Sequence, residues 1–234
     1  MNYRITLVVF TYNEVTGLRQ LIGKIPLEAV DEVFAVDGGS NDGTLGILET
    51  QGIKVILQEI KGRGEAFRLA MKEATSDYVI FFSPDGNEDP QDILQFRKYA
   101  EEGYDMVIAS RMMNGAHNEE DEDFFKWRKW ANNAFNFFAN LFFRKKGQPY
   151  VTDSINGFRM IKKTAFNLIN PDGQGYTIEY QMTIRALKKS LKIGEFPTHE
   201  GKRLGGESYA KSLPVGIAFL NLLFHEILLS FKAK

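Results

Sequence analysis

The chain has 234 residues and no cysteine. That absence excludes disulfides, a thiolate nucleophile and a zinc–thiolate site, and it suits a reducing compartment. Acidic and basic residues are nearly balanced, with 30 of the former and 29 of the latter. No overall field would therefore recruit nucleic acid. GKS and GKT tripeptides are also missing, and the GRG fragment at 62–64 lacks the third glycine of a dinucleotide fingerprint.

A signal peptide is a further absence. The N-terminal stretch MNYRITLVVF has no basic region followed by an apolar run and a small-residue cleavage site. We therefore expect a cytoplasmic protein without a cleaved leader. The hydrophobic content of 44% is high enough for a full core. At this length it predicts one domain over residues 1–234.

What the sequence does contain is an alternation of strand and helix patterns. Apolar, β-branched runs of strand length occur at residues 5–10, 33–36, 54–57, 78–82 and 106–109. Helical patterns lie between them at 15–25, 43–51, 64–74 and 91–102. This repetition predicts an α/β fold with a mostly parallel sheet covered by helices on both faces. Such sheets bind ligands at the carboxyl ends of their strands.

Polar, glycine-rich loops follow four of these runs. They read FTYNE after the first, VDGGSNDGT after the second, KGRGEA after the third and FFSPDGNEDP from the fourth onward. One such loop is ordinary, since residues such as Ser40 or Asp42 can simply cap the next helix. Four at the same sheet edge predict a binding site.

The motifs FTYNE, VDGGSNDGT, GRGEAFRLAM, FFSPDGN, ASR, TDSINGFR and KRLGGES, in this order, resemble those of glycosyltransferase family two. Within that family, the likeness is to the branch of dolichyl-phosphate or polyprenyl-phosphate sugar synthases. It covers roughly residues 4–211. The resemblance implies a GT-A, Rossmann-like fold that transfers a sugar from a nucleotide-diphosphate sugar. Residues 1–110 would form the nucleotide-sugar half, 111–211 the acceptor half and 212–234 a C-terminal interfacial or docking helix.

The resemblance also assigns residues to the nucleotide. Tyr12 would give an aromatic wall, Glu14 would accept hydrogen bonds, and the planar guanidinium of Arg203 would suit a diphosphate. Asp37 would read the base, although Gly38 replaces the second acid that relatives carry, and Phe10 replaces a common proline. The nucleotide-binding residues implied are Thr11, Tyr12, Glu14, Asp37, Gly39, Arg63, Pro84, Asp85 and Arg203. The stretch Gly205 to Ser208 would close over the donor.

The turn Ser83-Pro84-Asp85-Gly86-Asn87 is where relatives bind Mg²⁺ or Mn²⁺. Residues two apart on an extended chain face the same way, so Asp85 and Asn87 can point together into the cleft. The resemblance makes Asp85 and Asn87 the metal ligands, with Ser83 in place of the usual first aspartate. One carboxylate fewer weakens the metal site without abolishing it, because the diphosphate supplies oxygens too. The alternative is a structural turn followed by a helix capped at Asp89.

The acceptor side follows from the same resemblance. A polyprenyl phosphate is already ionised and needs no strong general base. The implied acceptor-binding residues are Arg111, Arg128, Asn132, Asp153 and Arg159. Transfer would invert the anomeric centre by in-line displacement, with the metal and Arg203 stabilising the departing diphosphate. The catalytic residues implied are Asp85, Arg111, Arg128 and Arg203.

Aromatic residues are concentrated in the second half. The segment 124–143 holds seven phenylalanines, which is more than one core-facing stripe requires. Residues 213–231 approach spanning length, but Asn221, His225 and Glu226 interrupt them. We expect a peripheral protein on the cytoplasmic face of the membrane, whose aromatic surface meets lipid or another copy of the chain in a homo-oligomer.

Two other functions remain open from sequence. A nucleotide-sugar-binding protein with a decayed catalytic site would account for Ser83, Gly38 and Phe10 together. A methyltransferase could use the loop VDGGSNDG, but it would leave the GFR and KRLGGES segments without a role.

Overall fold

The computed structural model describes residues 3–205 and 212–232. A seven-stranded sheet runs through this part of the chain, in the spatial order β3-β2-β1-β4-β6-β5-β7. The strands are β1 Ile5–Thr11, β2 Glu32–Asp37, β3 Lys54–Leu57, β4 Tyr78–Phe82, β5 Met106–Ser110, β6 Arg159–Lys162 and β7 Ile193–Pro197. Every pairing is parallel except those of β6, which runs antiparallel to β4 and β5. The five strands predicted from sequence are all present.

In the described part of the chain, eight α-helices flank the sheet. They are α1 Val15–Leu21, α2 Thr44–Thr50, α3 Arg63–Glu73, α4 Ile93–Glu101, α5 Trp127–Phe143, α6 Lys163–Ile169, α7 Thr177–Lys188 and α8 Ser212–Lys232. The pattern predicted over 15–25 ends early as an α-helix and continues as a 3₁₀ turn at Ile22–Lys24. The helix predicted from residue 91 begins with a 3₁₀ turn at Pro90–Asp92, where the side chain of Asp89 accepts the Gln91 N–H. The mostly parallel α/β fold is confirmed.

Both faces of the sheet are buried, which explains the nearly continuous apolar strands. In β1, Val8 belongs to one hydrophobic cluster while its neighbours Leu7 and Val9 belong to the other. Side chains of α1, α2 and α4 fill one cluster. Side chains of α3 and of α5 to α8 fill the second. A strand buried on both sides gains from apolar residues at every position.

The strand order places a crevice beside β1. The chain moves outward from β1 to β2 and β3, then returns to form β4 on the other side of β1. In open α/β sheets, the reversal of strand order leaves a crevice outside the carboxyl ends of the two strands involved. The loops that follow β1 and β4 therefore meet there.

Helix α8 is fixed to the body by a buried carboxylate. Glu226 is fully buried within this apolar helix, and it accepts hydrogen bonds from Arg185 (2.8 Å) and Lys188 (2.9 Å) of α7. Phe219 packs on Phe135 of α5 with ring centroids 5.3 Å apart. The segment Leu213–Phe231 is long and apolar enough to cross a membrane by length and composition. Glu226 shows that one face of it is instead attached to the protein.

Candidate active site

A cleft of about 900 Å³ opens at the carboxyl edge of the sheet. One side of it is formed by the loops after β1, β2, β3 and β4, and the other by α5, α7 and the start of α8. The four polar loops singled out in the sequence lie at this edge. Of the predicted site residues, those lining the cleft are Thr11, Tyr12, Glu14, Arg63, Asp85, Asn87, Arg111, Arg128, Asn132 and Arg203.

The turn after β4 is held by a segment more than a hundred residues away in sequence. The backbone N–H of Leu204 donates to the Asp85 carbonyl (2.8 Å), and that of Gly201 donates to the Asn87 carbonyl (3.0 Å). Gly86 has φ +103°, and a Cβ there would lie 2.5 Å from Leu204. Glycine at position 86 thus satisfies both a left-handed backbone and a close contact. The SPDGN and KRLGG motifs form one structure.

Arg203 joins two carboxylates at the centre of the cleft. Its guanidinium donates to Asp85 (2.8 Å), to Glu14 and to the Gly205 carbonyl (2.8 Å). Burial raises the pKa of Glu14 to about 7, despite the opposing effect of Arg203. Burial likewise raises the pKa of Asp85, while the Asn87 N–H and Arg203 act to lower it. Two acids and one arginine therefore share a partly dehydrated space.

The donor set beside Asp85 fits a hard divalent cation that carries other oxygen ligands. The Asn87 amide nitrogen donates to the Gly201 carbonyl (2.9 Å) and to Glu119 (3.3 Å), which leaves its oxygen for a ligand. Within residues 3–205 and 212–232, no three His, Asp or Glu side chains are arranged to bind a metal ion. A carboxylate and an amide oxygen suit Mg²⁺ or Mn²⁺ when phosphate oxygens complete the shell.

Asp37, at the end of β2, does not face the cleft where a ligand would bind. This side chain is fully buried and lies outside the cleft lining. Its oxygens accept from the hydroxyls of Thr11 (2.7 Å) and Ser40 (2.6 Å) and from the N–H groups of Gly39 (2.8 Å) and Ser40 (2.7 Å). A carboxylate with four internal donors is a structural element of this loop. The predicted reading of the base by Asp37 would require those bonds to break.

The two arginines predicted for the acceptor differ in freedom. Arg111 makes two hydrogen bonds to Asp153 (2.8 and 3.0 Å) and one to Glu200 (2.8 Å), and its side chain is only 15% exposed. Arg128 pairs with Glu120 (2.7 Å) and Glu119 (3.0 Å) but is 47% exposed. Arg128 can therefore exchange partners, whereas Arg111 is committed to two buried acids.

Besides Asp37, four predicted residues do not reach the cleft wall. Arg159 is fully buried, and its guanidinium donates to the carbonyls of Asn156 (2.7 Å) and Glu179 (2.9 Å), so contact with an acceptor would require it to leave them. Asp153 is fully buried behind Arg111. Pro84 is also buried, and its carbonyl lies 1.9 Å from where a Cβ on Gly17 would be. Gly39, with φ +94°, supports the Asp37 loop. Ser208 lies outside the described residues.

Comparison with known proteins identifies the family. Residues 6–168 match glycosyl transferase family 2. The chain belongs to glycosyl transferase family 2. It is 30% identical over 219 residues to glycosyltransferase AglJ of Haloferax volcanii, a match that covers 91% of this chain and 68% of that protein. The resemblance drawn from the sequence motifs is confirmed.

Two further family-level comparisons concern ligands of other proteins. A Methanococcus voltae protein named UDP-N-acetylglucosamine–dolichyl-phosphate N-acetylglucosaminyltransferase is 26% identical over 217 residues, covering 82% of this chain and 84% of that one. Glucosyl-3-phosphoglycerate synthase from Mycobacterium tuberculosis, in complex with Mn²⁺, UDP and phosphoglyceric acid, aligns with TM-score 0.75. That alignment covers 96% of this chain and 78% of the synthase at 19% identity, so it shows a common fold.

Several acidic residues in and around the cleft were not predicted from the sequence. Glu88 reaches back to accept the Ser83 N–H (2.7 Å), and Glu200 accepts from Asn118 (2.5 Å) and Arg111 (2.8 Å). Glu119 and Glu120 hold Arg128. The sequence NEED resembles a solvated charge run, and only the pairing of the 117 and 199 segments brings it beside Glu200. No local signal marks these positions.

The raised carboxyl pKa values predict how stability varies with pH. Burial raises the pKa of Glu14 and of Glu195 to about 7. The folded state therefore binds protons near pH 6 that the unfolded state, with ordinary carboxyl pKa values near 4.5, does not. The free energy of unfolding should fall as pH rises from 5 to 8. We expect the Tm to drop by roughly several degrees between pH 6 and pH 8.

Calorimetry of the ligand-free protein tests this expectation. Glu14→Gln removes one of the two groups and should flatten the curve between pH 6 and 8. A Tm that rises over that interval would contradict the protonation of these acids in the folded state.

Proposed function

We propose that this protein is an inverting, metal-dependent glycosyltransferase that moves a sugar from a nucleotide-diphosphate sugar to a polyprenyl phosphate at the cytoplasmic membrane surface. The observation that carries the proposal is the shape of the cleft. Arg203 and Asp85 line it, and so do the apolar side chains of Val215 and Phe219 of α8 and of Phe135 of α5. A polar site that continues into an apolar wall suits an amphiphilic acceptor.

The donor half is supported by the ion pairs at Arg203. A diphosphate that carries a divalent cation brings both a partner for the arginine and a partner for Asp85. Arg203 would exchange the Asp85 carboxylate for phosphate oxygens, and Asp85 with the Asn87 oxygen would hold the cation. Opposite charges stay paired before and after the exchange, which limits the desolvation penalty. The bound metal would neutralise charge on the departing diphosphate.

The acceptor half is supported by Arg128. Its guanidinium lines the cleft close to Asn132 and is the more exposed of the two candidate arginines. An arginine that pairs with carboxylates on one edge retains N–H donors for a phosphate. The acceptor oxygen is already ionised, so it can attack the anomeric carbon without a base. Attack opposite the diphosphate would invert that centre.

The lipid chain of the acceptor would lie on the apolar surface of α5 and α8. Outward-facing residues of α8 recur every three or four positions and are exposed: Leu213, Ile217, Leu220, Phe224, Leu228 and Phe231. On the α5 side, Phe124 is fully exposed, and Phe137 and Phe142 are about half-exposed. Soluble monomers rarely expose apolar stripes of this length. A membrane surface would cover both helices.

A transfer assay tests the function directly. Purified protein is incubated with labelled UDP-sugars, Mn²⁺ and either a polyprenyl phosphate or the matching polyprenol. We expect label in the organic phase only with the phosphate. Transfer to the polyprenol would show that the acceptor group is a hydroxyl and not a phosphate. Binding of UDP-sugar without any transfer would favour a binding protein.

The membrane contact gives a separate prediction. Phe224→Glu replaces an exposed aromatic residue of the α8 stripe by a charge, and it should weaken binding to anionic lipid vesicles by about tenfold or more. Leu94→Glu is the matched control, because Leu94 is an exposed apolar residue on α4, on the opposite face of the sheet. Co-sedimentation measures both.

If both variants bind vesicles more weakly by the same factor, α8 is not the specific membrane-binding surface. If the parent protein ignores vesicles but sediments as a dimer that Phe224→Glu dissociates, a second copy covers the stripe instead.

A further inference from the structure

At the carboxyl end of β2, neither position 37 nor position 38 presents a carboxylate to a ligand in the cleft. The carboxylate of Asp37 already accepts four hydrogen bonds from within the protein. Position 38 offers no replacement, because a Cβ on Gly38 would already lie 3.1 Å from the Tyr12 ring. An acidic side chain there would press on that ring, which would have to move by a few tenths of an ångström. A base bound beside Tyr12 must therefore find its hydrogen-bond acceptor on another residue.

Gln58 provides such an acceptor in a fixed orientation. It follows β3 directly, lines the cleft, and its backbone N–H donates to the Asp37 carbonyl (2.9 Å). The side-chain nitrogen donates to the carbonyls of Ile60 (3.2 Å) and Gly62 (2.9 Å). Carbonyls only accept, so the amide cannot be turned round without losing both bonds. The Gln58 amide oxygen is left for a partner outside this loop.

A cation lies three residues further along the same loop. Lys61 also lines the cleft, and its ammonium lies 5.7 Å from the centre of the Tyr12 ring. The pair offers a neutral acceptor and a positive donor beside an aromatic face. A nucleobase edge in which a ring N–H stands beside a carbonyl oxygen matches both groups, as in the imide of uracil or the amide of guanine. Uracil presents that edge, with a ring small enough to stack on one tyrosine.

We infer that Gln58 determines base specificity, its amide oxygen accepting the imide N–H of a uracil ring while Lys61 donates to an adjacent ring carbonyl. The inference rests on the proposed nucleotide-sugar function and names the group that reads the base in it. A neutral amide thus performs the recognition that the buried Asp37 cannot. One neutral hydrogen bond to a partly buried base corresponds to about tenfold in affinity.

A ligand that differs by one methyl group tests the assignment. UDP and its 3-methyluridine analogue share every phosphate and ribose contact, but the analogue lacks the imide N–H. Titration calorimetry with Mn²⁺ compares them on the parent protein and on Gln58→Met, which keeps the length of the side chain and removes the acceptor. The parent should bind UDP about tenfold more tightly than the analogue. In Gln58→Met the two affinities should become nearly equal, because UDP binding weakens.

Gln51→Met is the control, since Gln51 is an exposed glutamine at the end of α2 and lies outside the cleft. It should keep the full preference of the parent. A Gln58→Met protein that still prefers UDP to the same degree would overturn the inference while leaving the proposed function intact. A folded parent that binds neither UDP nor GDP in the presence of Mn²⁺ would overturn the proposed function as well.

Discussion

Asp85→Asn is expected to abolish metal-dependent donor binding and to lower transfer by about 10²–10³-fold. The amide keeps the shape of the side chain but carries no charge to hold a divalent cation against water. It also loses the ion pair with Arg203, which keeps its hydrogen bonds to Glu14 and to the Gly205 carbonyl. Burial raises the pKa of Asp85, so the protein without ligand should tolerate the neutral side chain well. Function is lost while the fold remains.

The matched control for this experiment is Asp89→Asn. It makes the same chemical change four residues later, at a side chain that caps the 3₁₀ turn and is outside the main cleft. Manganese titrations of UDP binding, with circular dichroism to monitor folding, should separate the two variants. If the folded Asp85→Asn protein binds UDP with unchanged metal dependence, Asp85 is not a metal ligand and serves only to position Arg203.

Ser83→Asp extends the same test in the opposite direction. It adds a carboxylate two residues before Asp85 and should lower the metal concentration needed for half-maximal donor binding. The gain is limited by repulsion, because Glu88 already accepts the Ser83 N–H at 2.7 Å.

Arg111→Ala should produce the largest loss of stability among the cleft variants. The substitution leaves Asp153, which is fully buried, and Glu200, which is nearly so, without their shared cation. Breaking a buried ion pair from one side costs about 3–5 kcal/mol. At about 2–4 °C per kcal/mol for a chain of this size, the Tm should fall by roughly 10 °C.

Arg128→Ala provides the contrast. Its side chain is 47% exposed, and the buried Glu120 keeps the Lys129 N–H (2.8 Å) as a donor, so loss of Arg128 should cost about 1 kcal/mol or less. The variant should remain folded and raise the KM for the phosphate acceptor, leaving UDP binding unchanged. Arg128→Lys should restore the acceptor KM only in part, because lysine lacks the planar fork of donors. If Arg128→Ala instead weakened UDP binding, the arginine would belong to the donor side.

The difference between these two arginines marks a limit of sequence reasoning. The resemblance implied the same acceptor-binding role for Arg111 and Arg128, because residue type and spacing carry no information about burial. Asp37 and Arg159 show the same limit. Each was predicted to touch a substrate, and each is enclosed by internal hydrogen bonds.

The fold was more accessible than the site. Apolar runs bounded by polar loops predicted β1 to β5 with small boundary errors, because strands buried on both faces must be apolar throughout. The strand β7 was missed, since Gly194, Glu195 and Pro197 interrupt its pattern. Glu195 is there to accept the N–H groups of Thr152 (2.8 Å) and Asp153 (2.9 Å). The reversed direction of β6 has no counterpart in local sequence.

Under the proposed function, the buried Glu226 limits how α8 can contact a lipid bilayer. A helix that spans a bilayer must match its hydrocarbon thickness, and mismatch has an energetic cost for every ångström. Because Glu226 ties α8 along the protein through Arg185 and Lys188, this helix can meet lipid only with its outer stripe. Transfer should therefore depend on surface charge and lipid packing, and it should be nearly indifferent to acyl chain length.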